Sequence, residues 1–124
     1  LKIEQGGGET VSDRLAALVD RVGASLVGES GLSSLGAVVG ATEPAHIERL
    51  RAAMPRAVFL IPGVGAQGGK VEDLSAAFTA GRASALITVS RALVNAWAKT
   101  GSDPTSSAQA AAAELRESIW NVSR

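Results

Sequence analysis

Val58-Phe-Leu-Ile-Pro-Gly-Val-Gly-Ala-Gln-Gly-Gly69 and Ala85-Leu-Ile-Thr-Val-Ser-Arg91 decide the fold of this 124-residue chain. Each opens on a short apolar run suited to a buried strand, passes into small or polar residues, and leads into a helix. In the first loop, glycines offer backbone N–H groups. In the second, a guanidinium follows the strand directly. Neighbouring loops of this kind, at the carboxyl ends of parallel strands, clamp a phosphate between them.

Working outward, the same alternation repeats. Thr10 and Ser12 can cap a helix over 11–27, with Asp13 in its first turn and Leu15, Leu18, Val19 and Val22 at helical spacing. The turn-rich stretch 29–34 precedes an apolar run over 35–41 that reads as a strand buried on both faces. Thr42 is positioned to cap the next helix, Pro44 lies in its first turn, and Ile47, Leu50 and Met54 share a face before Pro55 ends it. A strand over 57–61 follows, then a helix over 71–80 with Leu74, Ala77 and Phe78 inward and Gly81 as its stop. A strand over 84–89 runs into a helix over 90–99 closed by Gly101. Ser102-Asp-Pro104 then breaks the chain and caps a terminal helix, 105–121, rich in helix-favouring alanine.

This alternation predicts an α/β chain with three parallel strands, which is part of a (β/α)8 barrel. Three strands cannot close a barrel, and so small a parallel sheet exposes unpaired apolar edges. Further barrel units, a companion chain or a second copy is therefore expected to cover them. The opening at Leu1 rather than methionine points to a truncated or processed product, with 1–124 forming the carboxyl-terminal portion of one barrel domain.

Composition narrows the function. Apolar residues make up 46% of the chain and charged residues 19%, enough for a packed core. Twelve basic and twelve acidic residues balance without a basic stripe, which argues against nucleic acid as a partner. Cysteine is absent, removing disulfides and thiolate chemistry and fitting a cytoplasmic enzyme. No apolar stretch reaches the roughly 20 residues needed to span a bilayer, so no membrane partner is expected.

The candidate chemistry centres on Gln67, Gly68, Gly69 and Arg91. Two glycines orient successive N–H groups toward an anion, and the Gln67 amide can both donate and accept. Arg91 falls in the first turn of a helix, where a cation meets the positive end of the dipole at a cost of about 0.3–1 kcal/mol. A bound anion would offset that cost. Taken singly, the loops also read as a glycine turn and a solvated arginine; together they favour a phosphate site. Pro62 and Gly63 can line a flat ligand or simply end the strand, and Lys70 reads as a solvated loop lysine. His46 reads as a surface residue, Trp97 and Trp120 as packing residues. Glu29 and Asp73 have no paired carboxylate, and Ser90 and Ser102 lack a neighbouring base. No metal site and no cofactor are expected.

The segments Gly36-Ala-Val-Val-Gly-Ala-Thr42, Phe59-Leu-Ile-Pro-Gly-Val-Gly-Ala-Gln-Gly-Gly69 and Thr88-Val-Ser-Arg91 resemble the bacterial branch of the orotidine 5′-phosphate decarboxylase family. The resemblance covers most of residues 11–99 and implies that these are the sixth, seventh and eighth barrel strands. It implies that Gln67 bridges the phosphate and pyrimidine ends of the nucleotide. The Gly68 and Gly69 backbone and the Arg91 side chain would hold the 5′-phosphate, and Pro62 would flank the base. The ligand would be orotidine 5′-monophosphate (OMP) or its product UMP, in a cofactor-free decarboxylase of pyrimidine biosynthesis that forms homodimers. The family's Asp-x-Lys-x-x-Asp network is not matched: the lysines are Lys2, Lys70 and Lys99, and no residue of this chain is expected to be catalytic. Two other readings stay open at this stage, a barrel enzyme acting on a sugar phosphate and a non-enzymatic fragment that pairs with a complementary chain.

Overall fold

The computed structural model describes residues 4–5 and 9–124, with side chains from Thr10 onward. The glycine run 6–8 and the Leu1 start lie outside the described residues. A short antiparallel pair, β1 (Glu4–Gln5) and β2 (Glu9–Thr10), leads into helix α1 (Val11–Gly23). The helix begins there because Thr10 and Asp13 form a capping box. Thr10 Oγ1 accepts from Asp13 N at 3.3 Å, and the Asp13 carboxylate accepts from Thr10 N at 2.9 Å. The Thr10 hydroxyl, which donates to the same carboxylate at 2.7 Å, and after it the Thr10 N–H hold the Asp13 carboxyl below its ordinary pKa. A single 3₁₀ turn, Ala24–Leu26, follows the helix. The inward residues of α1 are Ala16 and Gly23, whereas Leu15, Leu18 and Val22 are exposed.

Three parallel strands make the main sheet, in the order β3 (Ser33–Val38), β4 (Ala57–Pro62), β5 (Ala85–Thr88). β3 starts two residues earlier and stops three earlier than the apolar run suggested. Its register against β4 slips between Ser33 and Ala37. The slip brings Gly36 against the Val58 carbonyl so closely that a Cβ there would collide with it. Ser33 anchors the strand to α1, its hydroxyl donating to Gly23 O at 3.0 Å.

The helical segments share one hydrophobic core with the buried side of this sheet. Helix α2 (Pro44–Ala53) joins β3 to β4 and delivers Ile47 and Leu50 to the core, with Met54 at its end. Glu43, not Thr42, occupies its N-cap position, and it makes no side-chain cap bond. Between β4 and β5, Val71–Phe78 buries Leu74, Ala77 and Phe78 as the sequence predicts, but in 3₁₀ rather than α geometry. One reason lies at its end: the Ala77 carbonyl is taken by Arg51 and Ser84 side chains, and Gly81 N bonds back to Phe78 O. The expected helix over 90–99 is two short ones, α3 (Arg91–Val94) and α4 (Trp97–Thr100). They part at Asn95, a residue whose side chain competes with helical backbone bonds. Gly101, in the left-handed region, closes α4, and α5 (Pro104–Val122) is capped by Asp103.

The opposite face of the sheet is open. Ala57, Phe59 and Ile61 are buried on the helix side, while the register row Val38, Leu60 and Leu86 is 70%, 38% and 58% exposed. The expectation that the first strand is buried on both faces therefore fails. Its covered side has α1 and α2; its other side has no neighbour among the described residues.

Beneath the core sits a buried cation. Arg51, 4% exposed, donates to the carbonyls of Met54 (3.0 Å), Ala57, Ala77 and Ser84 (2.6, 2.9 and 2.9 Å). Its guanidinium also stacks 3.7 Å from the centre of the Phe59 ring. Burial lowers its pKa to about 10, so it remains charged at neutral pH. Replacing Arg51 with Met should remove four hydrogen bonds to main-chain carbonyls, of which those of Met54 and Ala77 keep another donor, and lower the unfolding free energy by about 3–5 kcal/mol in urea melts. Gly36→Ala should cost about 1–3 kcal/mol in the same assay by forcing β3 away from β4; an unchanged midpoint would show that the strands yield without penalty.

Candidate functional site

The register pair Pro62↔Thr88 sets the carboxyl ends of β4 and β5 side by side. Everything beyond those ends is therefore brought to one mouth. After Pro62 the chain turns at Gly63, with φ of +106°, and folds into a closed loop. Gly69 N donates to Gly63 O at 3.0 Å, Gly65 N to Gly69 O at 2.9 Å, and Gly68 N to Gly65 O at 2.9 Å. The base of the loop rests on Ala41, three residues beyond the end of β3. A Cβ on Gly69 would lie 2.6 Å from Ala41 Cβ and 2.8 Å from Gly63 O, so no other residue fits there without displacement.

At the loop's exposed tip, the Gln67 side chain folds back toward Gly63. From the other strand, Ser90 stands at the N-cap position of α3 without a side-chain cap bond, and Arg91 opens the helix. Pro62, Gln67, Thr88, Ser90 and Arg91 all line one cleft of about 210 Å³. Arg91 is exposed and makes no ion pair among the described residues. The cleft thus offers a guanidinium, a side-chain amide, two hydroxyls and a flat proline ring, which suits a polar anion carrying a planar group.

Three of the five residues singled out in the sequence, Pro62, Gln67 and Arg91, meet here. Gly68 and Gly69 do not line the cleft. Their N–H groups, expected to be bare donors, are spent on closing the loop, because its glycine carbonyls lie within hydrogen-bond reach. Lys70 is exposed, as the sequence suggests. His46 Nδ1 accepts from Arg49 Nη2 at 2.8 Å, and the residue is far in sequence from this cleft and absent from its lining. Trp97 and Trp120 remain largely exposed rather than packed inside, Trp120 lying 3.9 Å from the Arg82 guanidinium. Among the described residues no cluster of His, Cys, Asp and Glu could hold a metal ion, and no helix is long and apolar enough to cross a membrane. Thr88 is the residue the sequence reading passed over. Its signal was strand alternation, which puts Leu86 and Thr88 on the same face.

No family model matches the chain. It is, however, 46% identical over 87 residues to orotidine 5′-phosphate decarboxylase of Deinococcus radiodurans, covering 69% of this chain and 32% of that protein. Against the same-named protein of an Azoarcus species it is 41% identical over 114 residues, covering 91% of this chain and 39% of that one. The chain is homologous to orotidine 5′-phosphate decarboxylase. The fold agrees. The structure of Leishmania donovani OMP decarboxylase matches with a TM-score of 0.67 and 30% identity, over 99% of this chain and 42% of that one. The chain spans roughly a third of the length of the curated orotidine 5′-phosphate decarboxylases it matches, at their carboxyl-terminal part. Its three strands are accordingly part of a TIM barrel.

The closed loop makes its own prediction. Gly69→Ala should destabilise the protein by about 1–3 kcal/mol and open residues 63–70 to limited proteolysis; an uncut loop with an unchanged melt would mean that the crowding at Ala41 is harmless.

Proposed function

We propose that this chain is the phosphate-gripping part of an orotidine 5′-phosphate decarboxylase, which converts OMP to UMP and CO2. The observation that carries the reading is the convergence of Gln67 and Arg91, from loops on adjacent parallel strands, on one small cleft. Arg91 pairs with the 5′-phosphate, its fork of donors matching phosphate oxygens. Gln67 donates to the phosphate and reaches toward the pyrimidine, whose flat face lies along Pro62. Gly68 and Gly69 serve by shaping the loop that presents Gln67.

In this reading the bond from C6 to the carboxylate breaks, CO2 leaves, and the electron pair left on C6 takes a proton from a lysine ammonium. That lysine comes from the barrel units that complete the domain, since Lys2, Lys70 and Lys99 stand in no Asp-x-Lys-x-x-Asp pattern. No cofactor takes part. The residues of this chain act at a distance from the reacting bond. Binding energy at the phosphate holds the substrate in place and offsets the cost of closing the site around it.

Residues 1–124 form the carboxyl-terminal portion of a single barrel domain whose remaining units, in the same chain or a companion chain, cover the open apolar row Val38–Leu60–Leu86. The exposed Leu15, Leu18 and Val22 on α1 support the same view, for they form an apolar stripe ready for a neighbour. The assembled enzyme is a cytoplasmic homodimer. In the protein that carries the complete barrel, Arg91→Ala should lower kcat/KM for OMP at least about a hundredfold, or about 2.7 kcal/mol. An unchanged value would remove Arg91 from the site and the nucleotide reading with it.

A further inference from the structure

Ala41 is 1% exposed and forms no part of the cleft wall, yet it meets the closed loop at both of its ends. Val39 N donates to Leu60 O and Ala41 N to Pro62 O, both at 2.9 Å. The parallel ladder therefore runs on past β3, to the point where the loop leaves β4. At the loop's start, a Cβ on Gly63 would find Gln67 Oε1 at 3.3 Å, Ala41 N at 3.6 Å and Ala41 Cβ at 3.7 Å. The Gln67 amide and the Ala41 methyl thus border the same empty volume. At the loop's end, a Cβ on Gly69 would lie 2.6 Å from Ala41 Cβ and 3.1 Å from Ala41 O. Packing this close registers a change of even one methylene.

Resting on the nucleotide reading above, we infer that Ala41 is a positioning residue that acts through the 63–69 loop to set Gln67 opposite Arg91. The two ligand groups stand on separate mounts. Arg91 follows β5, which β4 separates from β3. Gln67 rides on a loop whose floor is the Ala41 methyl. The bond from Gly69 N to Gly63 O, together with those inside the loop, ties its residues into one body. A larger side chain at position 41 lifts the Gly69 end, and the displacement passes to Gln67 while Arg91 stays in place. The size of residue 41 therefore governs the span between amide and guanidinium, without contact between Ala41 and the substrate.

The test places Ala41→Val and Ala41→Ser in the protein that carries the complete barrel, each with Gln67 intact and with Gln67→Ala. With Gln67 intact, Ala41→Val should lower kcat/KM for OMP about a hundredfold, the cost of a misplacement near 1 Å, and Ala41→Ser at least about threefold. With Gln67→Ala, the same changes should lower it by no more than about twofold further, since the group they displace is gone. Thermal melts give the structural control: any loss of Tm from Ala41→Val should be the same in both backgrounds. Where Ala41→Val does not fold, Ala41→Ser carries the comparison. An unchanged kcat/KM with Gln67 intact would overturn the inference. So would equal losses in the two backgrounds, which would make Ala41 a packing residue only. Gln67→Ala alone tests the parent reading. If it leaves kcat/KM for OMP unchanged, Gln67 is no ligand and the nucleotide reading of this cleft falls; if it lowers kcat/KM but the losses add, that reading stands and only the role of Ala41 falls.

Discussion

The interaction on which the rest of this structure depends is the Arg51 guanidinium held among four main-chain carbonyls. Those carbonyls belong to the end of α2, the start of β4, the end of the 71–78 segment and the residue just before β5. One side chain therefore ties the entry points of two adjacent strands to both crossover segments. No carboxylate takes part in this set of bonds. The charge is met by carbonyl dipoles and by the face of Phe59, an arrangement that suits arginine's planar, many-donor head and no other side chain. Ser84 completes it, donating to Ala77 O and Gly81 O.

This clamp and the cleft lie at opposite ends of the same strands. β4 starts at Ala57, whose carbonyl accepts from Arg51, and ends at Pro62, which lines the cleft. β5 is likewise preceded by Ser84 and ends at Thr88. The amino-terminal rim is fixed by a buried polar network, and the carboxyl-terminal rim carries the groups proposed to meet a ligand. That is the division of labour expected of a barrel, with stability at one face and chemistry at the other. It also accounts for how two loops remote in sequence can be aligned: both strands are set to the same height by one anchor before their loops begin.

Much of this was legible in the sequence. Apolar runs bounded by glycine and proline marked the three strands, and their alternation with helices gave the parallel order. Pro62, Gln67 and Arg91 were singled out from the sequence, Arg91 because a cation is costly in the first turn of a helix, and the fold brings the three to one cleft. Other features depended on tertiary partners that pattern does not show. The bulge at Gly36 arises from the Val58 carbonyl of another strand, and the 3₁₀ course of 71–78 from side chains of Arg51 and Ser84. Arg51 itself sits one helical turn from Ile47, on the inward stripe, so its position signalled burial even though its charge suggested the opposite. Thr42 lost its expected N-cap position to Glu43, whose side chain makes no cap bond, because Pro44 starts the helix one residue later than the reading placed it. The roles of Gly68 and Gly69 inverted for a comparable reason: whether a glycine N–H is available depends on which carbonyls the folded loop brings near it.

That inversion has a consequence for recognition. A loop whose amides already satisfy one another, and whose base is wedged against Ala41, is held in one shape by its own contacts. An anion bound at the proposed cleft would have little backbone to freeze, so the conformational entropy that association usually forfeits would be largely spent during folding. Only the side chains of Gln67 and Arg91 remain to be ordered. Such a receptor gains its selectivity from fit at two flexible tips on a stiff mount, and it should release its guest without first having to unfold its grip.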